Sequence, residues 1–374
     1  MSIPLNKRFT ALDVFRGMTI CLMIIVNTPG GSPTFSILEH ASWNGFTPTD
    51  LVFPSFMFAV GNAMSFVMSK WGAMSSSQVL AKIFKRTFII FLLGYLMYWF
   101  PFVKADEAGH LMLAPISDTR IFGVLQRIAL AYGVASLMIY FLKPRATTII
   151  SIIILILYWP VMYFFGDAPD PLGLQTNAVL KLDTWLFGES HLYHGEGIAF
   201  DPEGLLSTFP SIVNVVAGYL AGTYVQKKGN SYEGLAKLLM AGFLLFILAQ
   251  WWNLGFPINK KLWSSSFVLN TVGLDCMILA CIIYLVDFLG KTKGVYFFQV
   301  FGRNPLFIYL LSEIGVILLF FIQIGDMSLY KWLYQHIFIH AGDYIGSLLF
   351  AVSWMLICWL LGYVLDKRKI YIRV

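Results

Sequence analysis

Charge is what this sequence has least of. Only 12% of its 374 residues are Asp, Glu, Lys or Arg, 58% are hydrophobic, and the mean hydropathy is +0.73. A soluble globular chain is charged at about a quarter of its positions, so the composition excludes that class and points to a membrane protein. Cysteine is scarce too. Cys21, Cys276, Cys281 and Cys358 all lie inside apolar runs without metal-ligand spacing, and they read as small core residues. No P-loop, dinucleotide fingerprint or nucleophile-elbow serine is present, so none of those chemistries has a motif here. His191 with His194, and His336 with His340, have no evident third ligand, and no metal is expected. No small-residue cleavage site follows the first apolar run, so no signal peptide is expected.

What the chain has is apolar length. Ten runs long enough to span a bilayer occupy residues 12–28, 49–68, 85–102, 121–141, 147–165, 207–225, 236–253, 266–288, 295–324 and 344–365. The ninth exceeds one straight span, and Pro305 in "GRNPLF" predicts a kink or break within it. The expected fold is an all-α polytopic membrane protein of about ten transmembrane helices, forming a single domain over residues 1–374. Lysine and arginine orient it. Alternate connecting segments hold seventeen of them, including Lys7, Arg8, Lys85, Arg86, Lys227, Lys228 and Arg373. The other segments hold six: Lys104, Arg120, Lys181, Lys260, Lys261 and Lys331. Both termini are therefore expected in the cytoplasm. The net charge of +6 reads as topology signal and contact with membrane lipid, with no nucleic-acid partner. No repeat of one half in the other is visible, which weakens an inverted-repeat transporter.

Polar residues inside apolar runs need a partner or a task. Asp13, Arg16, Ile20, Ile24 and Asn27 follow helical spacing on one face of the first span, linking an inner ion pair to the outer end. Arg127 and Arg303 are also embedded, with packing against Asp275 or Glu313 as the plain reading for Arg127. In "TPTD", Thr47 is a natural N-cap, Pro48 the first helical residue and Asp50 a capping-box acid. "DPEGLL" repeats the pattern, with Asp201 expected as N-cap and Glu203 in the first turn.

Taken together, these stretches resemble one family. "LDVFRG" opening the first helix, "VN" closing it, and "HASWNGFTPTDLVFPSFMFAVG" are similar to the heparan-α-glucosaminide N-acetyltransferase family, including its shorter prokaryotic relatives. The similarity continues in order through "GVLQRIALAY", "FDPEGLLSTFPSIV", "PINKKLWSSSFVL" and "GRNPLFIYLLSE". The resemblance implies a multi-spanning acyltransferase that takes acetyl from cytoplasmic acetyl-CoA and passes it to a sugar amine across the membrane. It puts the family's catalytic histidine on His40 and its helix-ending asparagine on Asn27. The shorter prokaryotic pattern sets the bacterial inner membrane as the expected location, and a homodimer is compatible with the family.

Residues and resemblance together set the expected roles. An imidazole exchanges protons near neutral pH, so His40 can take the proton lost as nitrogen attacks a thioester, or carry acetyl itself. Asn27 would donate to the developing oxyanion or orient the ring. Arg16, Arg127, Arg303 and the adjacent Asn304 are the expected CoA contacts. Asn44, Asp50, Asp201 and Glu203 are the expected acceptor contacts. Two other readings stay open. One is an O-acyltransferase of an envelope glycan, and the other is a solute transporter whose embedded charges form the path.

Overall fold

The computed structural model describes residues 10–68, 70–105 and 110–372. Lys7, Arg8 and Arg373 lie outside them. Backbone groups in lipid find no water, so the chain satisfies them internally as helices, and thirteen are present among the described residues. In chain order they are α1 (Thr10–Asn27), α2 (Pro48–Met68), α3 (Ser76–Trp99), α4 (Val124–Phe141), α5 (Pro144–Phe165), α6 (Ala178–Phe187) and α7 (Leu205–Lys228). There follow α8 (Tyr232–Trp252), α9 (Ser265–Ile283), α10 (Val295–Arg303), α11 (Pro305–Phe321), α12 (Leu329–Leu333) and α13 (Asp343–Lys367). Two small hairpins, β1 (Val103–Ala105) with β2 (Leu111–Leu113) and β3 (Gln323–Ile324) with β4 (Met327–Ser328), lie in connecting segments.

Among the described residues, eight helices are long and apolar enough to cross a membrane, and α10 and α11 pass the same test taken together. That pair is bent by 83°, where Pro305 lacks the N–H and steric freedom to continue α10. The third expected span is α3, 24 residues long, a rise of about 36 Å. It is set apart from those eight by Lys82, Lys85 and Arg86 in its first half, more charge than their apolar stretches carry. The fold is thus an all-α polytopic membrane fold.

Burial sorts the spans into centre and periphery. More than half of the apolar stretch is buried in α1, α2, α4, α7 and α9, against 22% in α5 and α8 and 28% in α13. The central helices carry the site, and the outer ones present apolar side chains to lipid. Glycine permits the tightest crossing. A Cβ on Gly61 of α2 would sit 1.9 Å from the Val215 carbonyl oxygen of α7, so the two backbones touch as small residues allow in membranes.

The connections alternate between two ends. Segments 28–47, 100–105, 110–123, 166–204, 253–264 and 322–342 gather at one, joined by bonds such as Gly45 N–H to the Ile258 carbonyl at 2.8 Å and Ile121 N–H to the His191 carbonyl at 3.2 Å. The short stretches 70–75, 142–143, 229–231 and 289–294 gather at the other. One helix in the long loop was not expected: α6 has only ten residues, too short for a span to register in hydropathy.

Candidate active site

The segment leaving α1 is pinned before it reaches His40. Tyr330 OH donates to the Pro29 carbonyl at 2.5 Å, and Ser347 Oγ donates to the Gly31 carbonyl at 2.9 Å. The chain then enters α2 through the acid's half of the expected capping box, the Thr47 hydroxyl donating to the Glu39 carbonyl at 2.7 Å and not accepting from the helix. Thr47 N–H donates to Asp50 Oδ2 at 2.9 Å and Asp50 N–H donates to the Thr47 carbonyl at 3.0 Å. Ala41 N–H adds a second donor to the same carboxylate, reaching Oδ2 at 3.2 Å. Oδ2 is thereby committed to the loop, and Oδ1 is left facing His40 Nδ1 at 2.8 Å. The Asp50 side chain is 1% exposed and that of His40 42%, so a buried carboxylate holds a reachable ring.

A cavity of about 150 Å³ opens beside this pair, lined by Asn27, His40, Val52, Phe53, Glu203 and Lys260 among others. Lys260 Nζ lies 3.0 Å from both His40 ring nitrogens and 4.0 Å from Asp50 Oδ1. A position equidistant from both nitrogens is beside the carbon between them. With the Nδ1 proton directed at Asp50, the lone pair available to the ammonium is that of Nε2. Burial lowers the Lys260 pKa, against the opposing pull of Asp50 and Glu203. Asn27 lines the cavity without bonding His40: its Nδ2 donates to Glu313 Oε1 at 3.2 Å. The group that orients the imidazole is Asp50.

The other acceptor-side residues separate. Glu203 borders the cavity, and burial would raise its pKa, but Arg120, Arg127 and Lys260 outweigh this and hold it low. Asp201 is fully buried behind it. Arg120 donates to both Asp201 oxygens, at 2.8 and 2.6 Å, and to Glu203 Oε2 at 2.6 Å. Burial would lower the pKa of Arg120, yet Tyr98 and these carboxylates raise it. Asp201 Oδ1 also accepts Glu203 N–H at 3.0 Å, but as part of a turn and not as the expected N-cap: α7 starts at Leu205 after Gly204, and its Leu205 N–H is met by Asp183 Oδ1 at 3.0 Å. Burial raises the Asp183 pKa to about 7. Asn44 accepts from Asn259 Nδ2 at 3.1 Å, a contact between loops.

The expected CoA contacts fall in two places. Arg127 is wholly buried under the site, stacked 4.7 Å over Trp263, and donates to Ser207 Oγ and to the Gly204 carbonyl at 3.3 Å. It pairs with neither candidate acid, since Asp275 accepts from Ser55 at 2.5 Å and Glu313 from Asn27. Arg16 and Arg303 lie at the opposite end. Arg16 donates to Asp13 at 2.8 Å, and Arg303 contacts both Asp366 oxygens at 2.6 Å. Asn304 holds the C-terminal strand of chain, donating to the Ile370 carbonyl at 3.0 Å and accepting from Ile372 N–H at 2.9 Å.

Four members of the site escaped the sequence reading: Lys260, Lys261, Glu313 and Arg120. Lys261 Nζ donates to the Ser42 carbonyl at 2.8 Å and to Glu196 at 2.5 Å, so the α8–α9 connection clasps the His40 loop. A signal was available. Lysines are rare in the segments at this end, and two in succession in "PINKKLW" ask for anionic or polar partners. Among the described residues, no group of three or more His, Cys, Asp and Glu side chains is placed to hold a metal.

Residues 8–251 match the family described as heparan-alpha-glucosaminide N-acetyltransferase, catalytic. The chain is 28% identical to the heparan-alpha-glucosaminide N-acetyltransferase of Mus musculus, over 98% of its own length and 61% of that protein's. It is also 28% identical to the Homo sapiens protein of the same name, over 99% of its length and 60% of that one's. It therefore spans about three fifths of these relatives. The match covers well over half the chain and includes the His40–Asp50 pair, so this protein belongs to the heparan-alpha-glucosaminide N-acetyltransferase family.

Proposed function

We propose that the chain is a transmembrane N-acetyltransferase, moving acetyl from cytoplasmic acetyl-CoA to the amine of a glucosamine-type sugar on the outer side. One observation carries this reading: a buried carboxylate holds Nδ1 of an exposed imidazole at 2.8 Å, and the ring borders a cavity lined by Glu203, Lys260 and Asn27. The seventeen-to-six distribution of lysine and arginine supports a cytoplasmic opposite end, in a bacterial inner membrane. We treat residues 1–374 as one catalytic unit, since Lys260 and Glu313 complete a site begun by His40.

The chemistry follows from the tautomer. Asp50 fixes the ring proton on Nδ1, leaving the Nε2 lone pair toward the cavity. The acceptor nitrogen attacks the thioester carbon while Nε2 takes its proton. The tetrahedral oxyanion then collapses, the carbon–sulfur bond breaks, and the imidazolium returns that proton to the leaving thiolate. Asp50 stabilises the imidazolium in between. Lys260 moves off Nε2 as the acceptor arrives and, with Asn27, supplies donors to the oxyanion. Glu203 faces the cavity as an anchor for sugar hydroxyls or the incoming ammonium.

The test is His40→Ala in proteoliposomes loaded with radiolabelled acetyl-CoA. Transfer to external glucosamine is lost while CoA binding is retained; full transfer by the variant refutes the assignment. Varying the external acceptor completes it. Thiol release that depends on a hydroxyl and not an amine indicates the O-acyl alternative, and solute flux without thiol indicates a transporter.

A further inference from the structure

The His40 cavity contains a primary amine of the chain's own. The Lys260 side chain is 16% exposed, and its Nζ lies 3.0 Å from both ring nitrogens of His40 and 4.0 Å from Asp50 Oδ1. A general base must stand within about 2.6–3.2 Å of the atom whose proton it takes, and Lys260 meets that condition before any acceptor enters. The charges around it are also those that would receive a sugar ammonium, with Asp50 beside it and Glu203 on the cavity wall. In position and chemical type, Lys260 Nζ stands where the acceptor nitrogen belongs.

The backbone holds it there. Asn259 Nδ2 donates to Asn44 Oδ1 at 3.1 Å, Leu262 N–H donates to Asn259 Oδ1 at 2.8 Å, and Trp263 N–H donates to the Lys260 carbonyl at 3.1 Å. The adjacent Lys261 supplies a contrast within the same turn. Its Nζ donates to the Ser42 carbonyl at 2.8 Å and to the Glu196 carboxylate at 2.5 Å. An ammonium paired in this way keeps its protons and has no lone pair for attack. Lys260 faces a ring nitrogen where Lys261 faces a carboxylate, and burial lowers its pKa against the pull of Asp50 and Glu203. The neutral amine is therefore more accessible at Lys260 than on a lysine in water.

We infer that Lys260 is a self-acetylation site, its Nζ taking the acetyl group of the thioester when no sugar amine fills the cavity, an inference that rests on the acyltransferase reading above. The ammonium first passes one proton to His40 Nε2, which releases it to the solvent. The freed amine attacks the thioester carbonyl carbon, and Nε2 accepts its second proton. The tetrahedral adduct collapses, the carbon–sulfur bond breaks, and the imidazolium protonates the leaving thiolate. The products are Nε-acetylated Lys260, the CoA thiol and one proton. An amide does not pass its acetyl group on to an amine as a thioester does, so the modified chain is blocked. It has a neutral amide beside His40 and leaves Asp50 and Glu203 without that cation. An acceptor sugar competes for the same place at Nε2, so the block forms when donor is present and acceptor is lacking.

The test incubates the full chain in nanodiscs with acetyl-CoA and no acceptor, and follows the peptide carrying Lys260 and Lys261 by mass spectrometry. Wild type gains an acetyl group on Lys260 and none on Lys261, and its transfer activity toward glucosamine declines in step. Excess glucosamine during the incubation prevents both changes. His40→Ala slows the modification by about a hundredfold. Lys260→Arg keeps a cation, gains no acetyl group, and holds whatever activity it starts with through the incubation. An unmodified Lys260 in a preparation that acetylates glucosamine overturns the assignment. Equal labelling of the two lysines, or labelling unchanged in His40→Ala, also overturns it, since either marks the uncatalysed reaction of an amine with a thioester. If wild type acetylates no sugar amine, the N-acetyltransferase reading fails by itself. Labelling of Lys260 that requires His40 then still supports the site, and its absence overturns it.

Discussion

Replacing Asp50 by asparagine tests the site at its base. Oδ2 of Asp50 receives Ala41 N–H, Thr47 N–H and the Thr47 hydroxyl, which lies at 3.1 Å. These donors require an oxygen there, so the asparagine carbonyl takes that place and its NH2 group faces His40 Nδ1. Nδ1 must then accept, and the ring proton moves to Nε2, where the base should be. The charge is lost as well. At a separation of about 4 Å and an effective dielectric of about 20, a carboxylate and an imidazolium attract by about 4 kcal/mol. Lys260, 4.0 Å from Oδ1, offsets part of this. With about 1.4 kcal/mol per decade of rate, Asp50→Asn is expected to lower kcat by about a hundred- to a thousandfold, with KM for acetyl-CoA little changed. Initial rates of labelled transfer in proteoliposomes measure this. A variant retaining more than about a tenth of wild-type kcat refutes the tautomer argument, because no arrangement of the amide restores both functions.

Lys260→Met removes the cation from the ring. Because burial holds the wild-type ammonium below the lysine range, activity should fall as pH rises through that lowered pKa, and the variant should lose this alkaline limb along with much of its kcat. A pH–rate profile that keeps the limb contradicts the role. Asp183 gives a stability prediction with a definite sign. Its folded pKa of about 7 lies above the unfolded value of 3.8, so its contribution is fully present below about pH 4 and is lost as pH rises through 7, by up to about 4 kcal/mol. Melting curves of the wild type in detergent should drop over that window, and Asp183→Asn should flatten the dependence. Arg120→Met leaves Asp201 and Glu203 buried without their cation. A cost of about 3–5 kcal/mol should appear as a large fall in melting temperature, and an unchanged melt would show that the cluster does not organise this end of α7.

Hydropathy located the spans because transfer into lipid is a local property of each run, and Pro305 announced the break for an equally local reason. The Thr47–Asp50 contact was also readable, since four consecutive residues suffice to form it. What stayed hidden depends on partners far along the chain. Lys260 meets His40 across 220 positions, Arg120 meets Asp201 across 81, and Glu313 meets Asn27 across 286. No local pattern encodes such pairings. Capping chemistry misled at Asp201, because its carboxylate closes a turn on Glu203 N–H and the helix begins only after Gly204, at Leu205. A more general clue lay in the charge bias. Of six lysines and arginines at the site end, Arg120, Lys260 and Lys261 belong to the site, so exceptions to the orientation rule were better pointers than the rule's examples.

The clasp between the loop holding His40 and the stretch before α9 makes the chemistry indivisible. Gly45, Asn44 and Ser42 are each gripped by Ile258, Asn259 or Lys261, all of them beyond residue 251, where the family match stops. A fragment ending there would preserve the reactive ring and its carboxylate yet set their loop adrift. A single protease nick between α8 and α9 would likewise let the two halves of the centre part company, extinguishing turnover long before the bundle itself comes apart.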